Sequence, residues 1–245
     1  HIVMPLATGV VPNEKFEASM ALLARAIAAK GGHLDVGLTG NYFLTKLLTE
    51  EWRNDLLFTI TSKTTFPSYG FFLQQGYTTW PEQWDAQECC EDPVSKMHGC
   101  YNSIGLWFLD GVLGISVDAT LNSPQNLEII AGINSGNVSW ARGSRQTMYG
   151  KVAASWRYWD VAPASELVDG DKLLSLEHNI TLPPSATATV LIPARSLADV
   201  KEGNLPVAQA QGVHVAGNTT RRGIHLVKLT VQSGDYHFSS VFKQQ

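Results

Sequence analysis

The chain has 245 residues, 44% hydrophobic and 16% charged, enough apolar material for one large or two ordinary cores and too much for a disordered segment. A formal net charge of −4, with Arg221-Arg222 as the one adjacent basic pair, gives no electrostatic ground for a nucleic-acid partner. The longest apolar stretch, Ile104 to Val117, is interrupted by Asp110 and three glycines and falls short of the ~20 apolar residues of a membrane span, so no membrane partner is expected.

The chain opens His1-Ile2-Val3-Met4-Pro5, without an initiator methionine or the charged and apolar regions of a signal peptide, and an upstream segment is expected to have been removed. From Asn13 to Lys30, Phe16, Met20, Leu23 and Ile27 recur at helical spacing. Asn13 is the expected N-cap, Glu14 and Glu17 lie in the first turn, and Gly31-Gly32 form the stop. Gly40 to Glu51 repeats the pattern through Tyr42, Phe43, Leu47 and Leu48, and Arg53 to Ser62 through Leu56, Leu57 and Ile60. After a loop, Asn102 to Leu113 predicts another helix, with Ile104, Trp107, Phe108 and Val112 on its buried side.

The polar segment Leu121-Asn122-Ser123-Pro124-Gln125-Asn126 ends the helical period, and we place a boundary between residues 1–120 and 121–245. Beyond it the apolar residues alternate: Val152, Ala154, Trp156 and Tyr158; Leu174, Leu176, His178, Ile180 and Leu182; Ala188, Val190 and Ile192; Val227, Leu229 and Val231. About seven short antiparallel strands are predicted, forming a β-sandwich. The helical half, with uneven connections, does not make a self-contained bundle and reads as part of something larger. The fold class is therefore α+β and multidomain.

Chemistry concentrates in Gly76-Tyr77-Thr78-Thr79-Trp80-Pro81-Glu82-Gln83-Trp84-Asp85, followed by His98. A carboxylate two residues from a tryptophan on either side suits a group that moves a proton beside a sugar ring held on aromatic faces. Glu82 is the candidate base that activates a water. His98 is a candidate donor to a sugar hydroxyl whose proton would hold Glu82 ionised. Trp80, Trp84, Tyr77 and Asp85 are candidate sugar contacts. The same residues also suit a surface glutamate beside two core tryptophans, a structural histidine and a turn aspartate, with Tyr69 and Tyr77 as core residues. Cys89, Cys90 and Cys100 are too few and too close for a disulfide framework, but in an oxidising compartment Cys100 could pair with Cys89 or Cys90 and pin the loop after the acid. Asn137, Asn179 and Asn218 each begin an N-x-S/T triplet, a weak signal for glycosylation and for a secreted or lumenal location. No metal-ligand cluster, phosphate loop or G-x-S-x-G elbow is present, and no cofactor or metal is expected.

In order along the chain stand Gly32-His33-Leu34-Asp35-Val36-Gly37-Leu38-Thr39-Gly40, Thr65-Phe66-Pro67-Ser68-Tyr69-Gly70, Gly76 to Asp85, His98 and Gly105-Leu106-Trp107-Phe108. This series resembles the C-terminal part of family 78 α-L-rhamnosidases. Val138-Ser139-Trp140-Ala141-Arg142-Gly143-Ser144, Tyr149-Gly150-Lys151-Val152-Ala153 and Trp156 resemble the family's trailing sandwich domain. The resemblance implies the second half of an (α/α)6 catalytic barrel followed by a C-terminal β-sandwich. It implies an inverting hydrolysis that releases L-rhamnose from α-L-rhamnosides.

Glu82 aligns with the family's general base, His98 with a sugar-contacting histidine, and Thr78, Thr79, Trp84 and Asp85 with the motif around the base. Pro81 before the acid, Trp80 one place early, Gln83 in place of arginine and a shortened cysteine-bearing loop depart from that motif and bear on substrate specificity. The family's general acid lies in a stretch this chain does not contain, so an N-terminal chain of the same precursor is the expected partner. A non-catalytic rhamnose- or glycan-binding protein on the same scaffold, and a glycan lyase or other hydrolase on the same barrel, are the alternatives.

Overall fold

The computed structural model describes residues 2–34, 36–85, 94–117, 127–133, 136–161 and 172–244, with Cys100 described by its backbone alone. It divides into two compact units, residues 1–108 with 134–136, and residues 109–133 with 137–245. The division at Phe108 and Leu109 precedes the expected boundary at 120/121, which lies outside the described residues. Leu109 and Leu113 pack with the core of the second unit, and apolar side chains of this kind carry no local mark of which core they will join.

The first unit is helical. α1 spans Val3–Ala7, α2 Asn13–Ala29, α3 Leu38–Glu50, α4 Asn54–Thr61 and α5 Tyr69–Gln74. The predicted stripe of α2 is present, with Met20, Leu23 and Ile27 buried. Its start differs from expectation: Pro12, with φ −56°, holds the cap position, and Asn13 is the first helical residue with no side-chain cap. Proline fixes the entry angle that the asparagine side chain would otherwise secure. At the other end Gly31 and Gly32 take φ of +65° and +79°, and the Gly32 N–H donates to the Ile27 carbonyl at 2.9 Å, closing the helix as predicted.

Leu44, Leu47 and Leu48 of α3 and Leu57 and Ile60 of α4 complete the helical core. The single helix expected over Asn102–Leu113 is instead a 3-10 turn at Gly99–Tyr101, a short α6 at Ile104–Leu106 and a wide π-type turn at Trp107–Leu113. Trp107 is 3% exposed, and its Nε1 donates to Asn54 Oδ1 of α4 at 2.9 Å, so a buried indole and a buried amide satisfy one another.

The second unit is a two-sheet sandwich. β1 is Ile115–Val117, β2 Leu127–Ile130, β3 Trp140–Thr147, β4 Gly150–Asp160, β5 Lys172–Leu182 and β6 Ala188–Pro193. β7 is Lys201–Glu202, β8 Leu205–Pro206, β9 Val213–Arg221, β10 Ile224–Val231 and β11 Gly234–Gln244. One sheet runs β1-β2-β6-β10-β9 and the other β3-β4-β5-β11-β7-β8. The described residues thus hold eleven strands, more than the seven expected, and β2 pairs with β6 in parallel, against the all-antiparallel expectation. β3 and β9 escape the alternation signal because glycine, arginine and threonine fill much of their length.

Alternate residues of β4, β5, β6, β10 and β11 fill one core between the sheets, including Val152, Ala154, Ile180, Val190, Ile192, Leu229 and Phe238. Backbones also meet closely: a Cβ added to Gly132 would stand 2.2 Å from the Val112 carbonyl oxygen, and one on Gly114, whose φ is +81°, 1.6 Å from that of Ile130. Only glycine fits at these two positions. Arg145 forms an ion pair with Asp110 and donates to the Ile115 carbonyl at 2.9 Å, tying β3 to the segment that leads into β1.

One polar residue stands out in this core. His178 is opposite Trp156 of β4 and Phe238 of β11, is 0% exposed, and neither ring nitrogen has a hydrogen-bond partner. Burial pushes its imidazole down to about 3, so the ring is neutral in the folded protein.

Candidate active site

The site is built on α5. Ser68, itself buried, caps the helix by accepting a hydrogen bond from the Phe71 N–H at 3.0 Å, which sets Tyr69 and Phe72 on its inner side. Burial pushes the Tyr69 hydroxyl up to about 12 and keeps it protonated. It donates to the Tyr101 carbonyl at 3.1 Å and accepts from Asn41 Nδ2 of α3 at 3.0 Å. Tyr69 is therefore a core residue, a role that the sequence allowed.

An aromatic cluster grows on this base. Trp84 stacks on Phe72 with centroids 5.1 Å apart and planes at 11°, lies 4.1 Å from Tyr101, and meets Tyr69 edge-on at 5.5 Å. Trp80 meets Tyr69 edge-on at 5.1 Å. The Trp84 Nε1 donates to the Val36 carbonyl at 3.0 Å, and His33 Nε2 hydrogen bonds with Thr65 Oγ1 at 2.7 Å. His33, Val36, Thr65, Tyr69, Trp80 and Trp84, far apart in sequence, thereby converge. Both indoles remain half-buried, and Trp84 is held as a wall of the site by its ring contacts and its spent N–H.

Glu82 and His98 are brought together by main chain. The His98 N–H donates to the Trp80 carbonyl at 2.8 Å and the Glu82 N–H to the Ser95 carbonyl at 2.9 Å, while Thr79 Oγ1 donates to the Lys96 carbonyl at 2.7 Å. These bonds form an antiparallel clip between residues 79–82 and 95–98. Glu82 is half-buried, and among the described residues its carboxylate has no hydrogen-bond or ion-pair partner. The clip joins the two segments through their backbones, and His98, like Glu82, is half-buried.

Tyr77 packs on Phe72 at 5.4 Å, and Lys96 Nζ lies 5.7 Å from its ring centroid and donates to its hydroxyl at 3.4 Å. Asp85 is exposed at the end of the segment. Cys89 and Cys90 lie outside the described residues, as does the Cys100 side chain. Asn137, Asn179 and Asn218 are all exposed. Sequence reasoning missed Lys96, Tyr101 and Asn41, which position the candidates without bearing any motif. No group of three or more metal-ligating side chains occurs among the described residues.

Comparison with known proteins gives this arrangement a context. Residues 1–112 match the model of the bacterial alpha-L-rhamnosidase 6 hairpin glycosidase domain. An alpha-L-rhamnosidase of Formosa agariphila is 26% identical over 245 residues, covering 98% of this chain and 24% of that protein. One of Streptomyces avermitilis is 28% identical over 197 residues, covering 78% of this chain and 18% of that protein. The crystal structure of the Streptomyces avermitilis enzyme complexed with L-rhamnose superposes on 97% of this chain and 21% of that one, with a TM-score of 0.73 and 26% identity. The alpha-L-rhamnosidase structure from Dictyoglumus thermophilum has the same TM-score at 21% identity, over 97% of this chain and 25% of that one, and supports the fold. The chain therefore spans a quarter or less of the length of these relatives. The chain is thus similar to alpha-L-rhamnosidases along nearly all of its length, and its residues 1–112 match the bacterial alpha-L-rhamnosidase six-hairpin glycosidase domain.

Proposed function

We propose that this chain forms the C-terminal portion of an inverting glycoside hydrolase that releases L-rhamnose from α-L-rhamnosides, with Glu82 as its general base. Glu82 takes a proton from a water whose oxygen attacks the anomeric carbon, while a general acid on the opposite side protonates the departing glycosidic oxygen. The acid comes from polypeptide N-terminal to this chain, the partner expected from the sequence. The observation that carries this reading is the clip: it holds the Glu82 backbone firmly beside an aromatic wall while its carboxylate has no partner among the described residues. A base must be positioned but not neutralised. His98 and Asp85 serve as sugar-hydroxyl partners, Trp80 and Trp84 shape the pocket, and Tyr77 lines its margin. The exposure of all three N-x-S/T asparagines fits a secreted glycoprotein.

The test is Glu82→Gln in the protein assembled with its N-terminal portion. Turnover of an aryl α-L-rhamnoside should fall by roughly 10³-fold, within the range of general-base catalysis, with KM little changed. The wild-type enzyme should release β-L-rhamnose first, seen by NMR before mutarotation. Near-normal turnover in the variant, or α-anomer as first product, refutes the assignment.

A further inference from the structure

The outer face of the second sheet holds a group of side chains that hydrolysis at Glu82 does not use. Trp140 of β3 lies directly opposite Arg157 of β4, and Arg157 directly opposite Glu177 of β5, so the three form one rung on the face turned away from the core. Trp159, two residues beyond Arg157, projects to the same side. Trp140 is 67% exposed and Trp159 43%. The Arg157 guanidinium sits over the Trp159 ring, 5.4 Å from its centroid, and its Nε donates to Glu177 Oε2. The Tyr158 hydroxyl donates to the Val138 carbonyl and the Tyr158 N–H to that of Ser139, each at 3.0 Å, which fixes the approach to Trp140. Ser139, Trp140, Arg157, Tyr158 and Trp159 line a cleft of about 520 Å³.

Two exposed indoles on one face of a sheet form an apolar patch of the kind that marks a binding surface. The polar groups beside them narrow the choice of ligand. Arg157 is held twice, by the ring below and the carboxylate beside it, so a planar donor and an acceptor stand next to each other at the edge of an aromatic wall. A pyranose ring has the matching chemistry: an apolar C–H face to lie on an indole, and adjacent hydroxyls that accept from a guanidinium and donate to a carboxylate. The cleft volume falls within the roughly 300–1,000 Å³ of small-ligand sites. A purely apolar peptide would cover the indoles but strip water from the Arg157–Glu177 pair without replacing it.

We propose that this face is a second, non-catalytic saccharide site, with Trp140 and Trp159 as stacking platforms and Arg157 and Glu177 as the hydroxyl-binding pair. It is independent of the assignment of Glu82. The experiment titrates the intact protein with methyl α-L-rhamnopyranoside, methyl β-D-galactopyranoside and methyl β-D-glucopyranoside, read by saturation-transfer NMR and tryptophan fluorescence. At least one glycoside should bind wild type and Glu82→Gln alike, and binding should weaken roughly tenfold or more in Trp140→Ala and in Trp159→Ala. Both tryptophans are exposed, so the variants should keep the wild-type circular dichroism. The proposal is overturned if none of the three glycosides binds or if binding survives both tryptophan substitutions. It is also overturned if oxidative footprinting of the protein assembled with its N-terminal portion shows Trp140 and Trp159 protected by polypeptide before any sugar is added.

Discussion

The neutral imidazole at the centre of the sandwich ties stability to pH through a single residue. In the unfolded chain His178 takes up a proton below about pH 6.5, whereas in the folded protein it stays neutral until about pH 3. Between those values the unfolded state binds one more proton than the native state, so stability rises with pH and is lost as pH falls. Each pH unit in that window is worth about 1.36 kcal/mol, and integrating from pH 7.5 to 4.5 gives a loss of about 2.7 kcal/mol from this group. Urea unfolding of wild type and His178→Leu at both pH values isolates the term, because contributions from other groups cancel in the difference. The variant should lose about 2.7 kcal/mol less on acidification. At neutral pH it should be at least as stable as wild type, since leucine removes two buried nitrogens that have no partner. Equal losses in the two proteins would show that His178 finds a proton partner or water in solution, and would refute the reasoning.

Two further changes test the sandwich unit, and a third in the helical unit serves as a control. Gly132→Ala drives a methyl group against the Val112 and Gly111 carbonyl oxygens, at 2.2 and 2.4 Å, and should cost about 3 kcal/mol in denaturant unfolding. Gly105→Ala, whose new methyl meets nothing within 4 Å, should stay within about 0.5 kcal/mol of wild type. Arg145→Ala removes the guanidinium paired with Asp110, whose side chain is 13% exposed, and should cost about 2 kcal/mol, measured as a lowered urea midpoint at pH 7.

Where one face of an element is buried and local, its sequence announces it. The stripe of α2 and the alternation of β4 and β5 fall where the periodicity puts them, because each apolar residue marks the same core. β3 is invisible for the opposite reason: its inward positions include Gly143 and Arg145, and its outward ones Trp140 and Arg142, so polarity does not separate the faces. The parallel pairing of β2 with β6 depends on contact between distant segments and leaves no local trace. At the site, the acid between two tryptophans was legible as chemistry. The clip that positions it was not, because two of its three bonds run between main-chain groups that every residue carries. Nor could spacing reveal that Trp84 spends its N–H on Val36.

That clip separates two evolutionary demands that are usually in conflict. The position of the Glu82 backbone depends on residues at the two ends of the segment, 79–82 and 95–98, and two of the three bonds between them are main-chain bonds indifferent to side-chain identity. Residues between Asp85 and Ser95 supply none of these bonds, so their sequence can change while Glu82 keeps its main-chain partner. Change in that stretch is thereby uncoupled from the backbone geometry at Glu82.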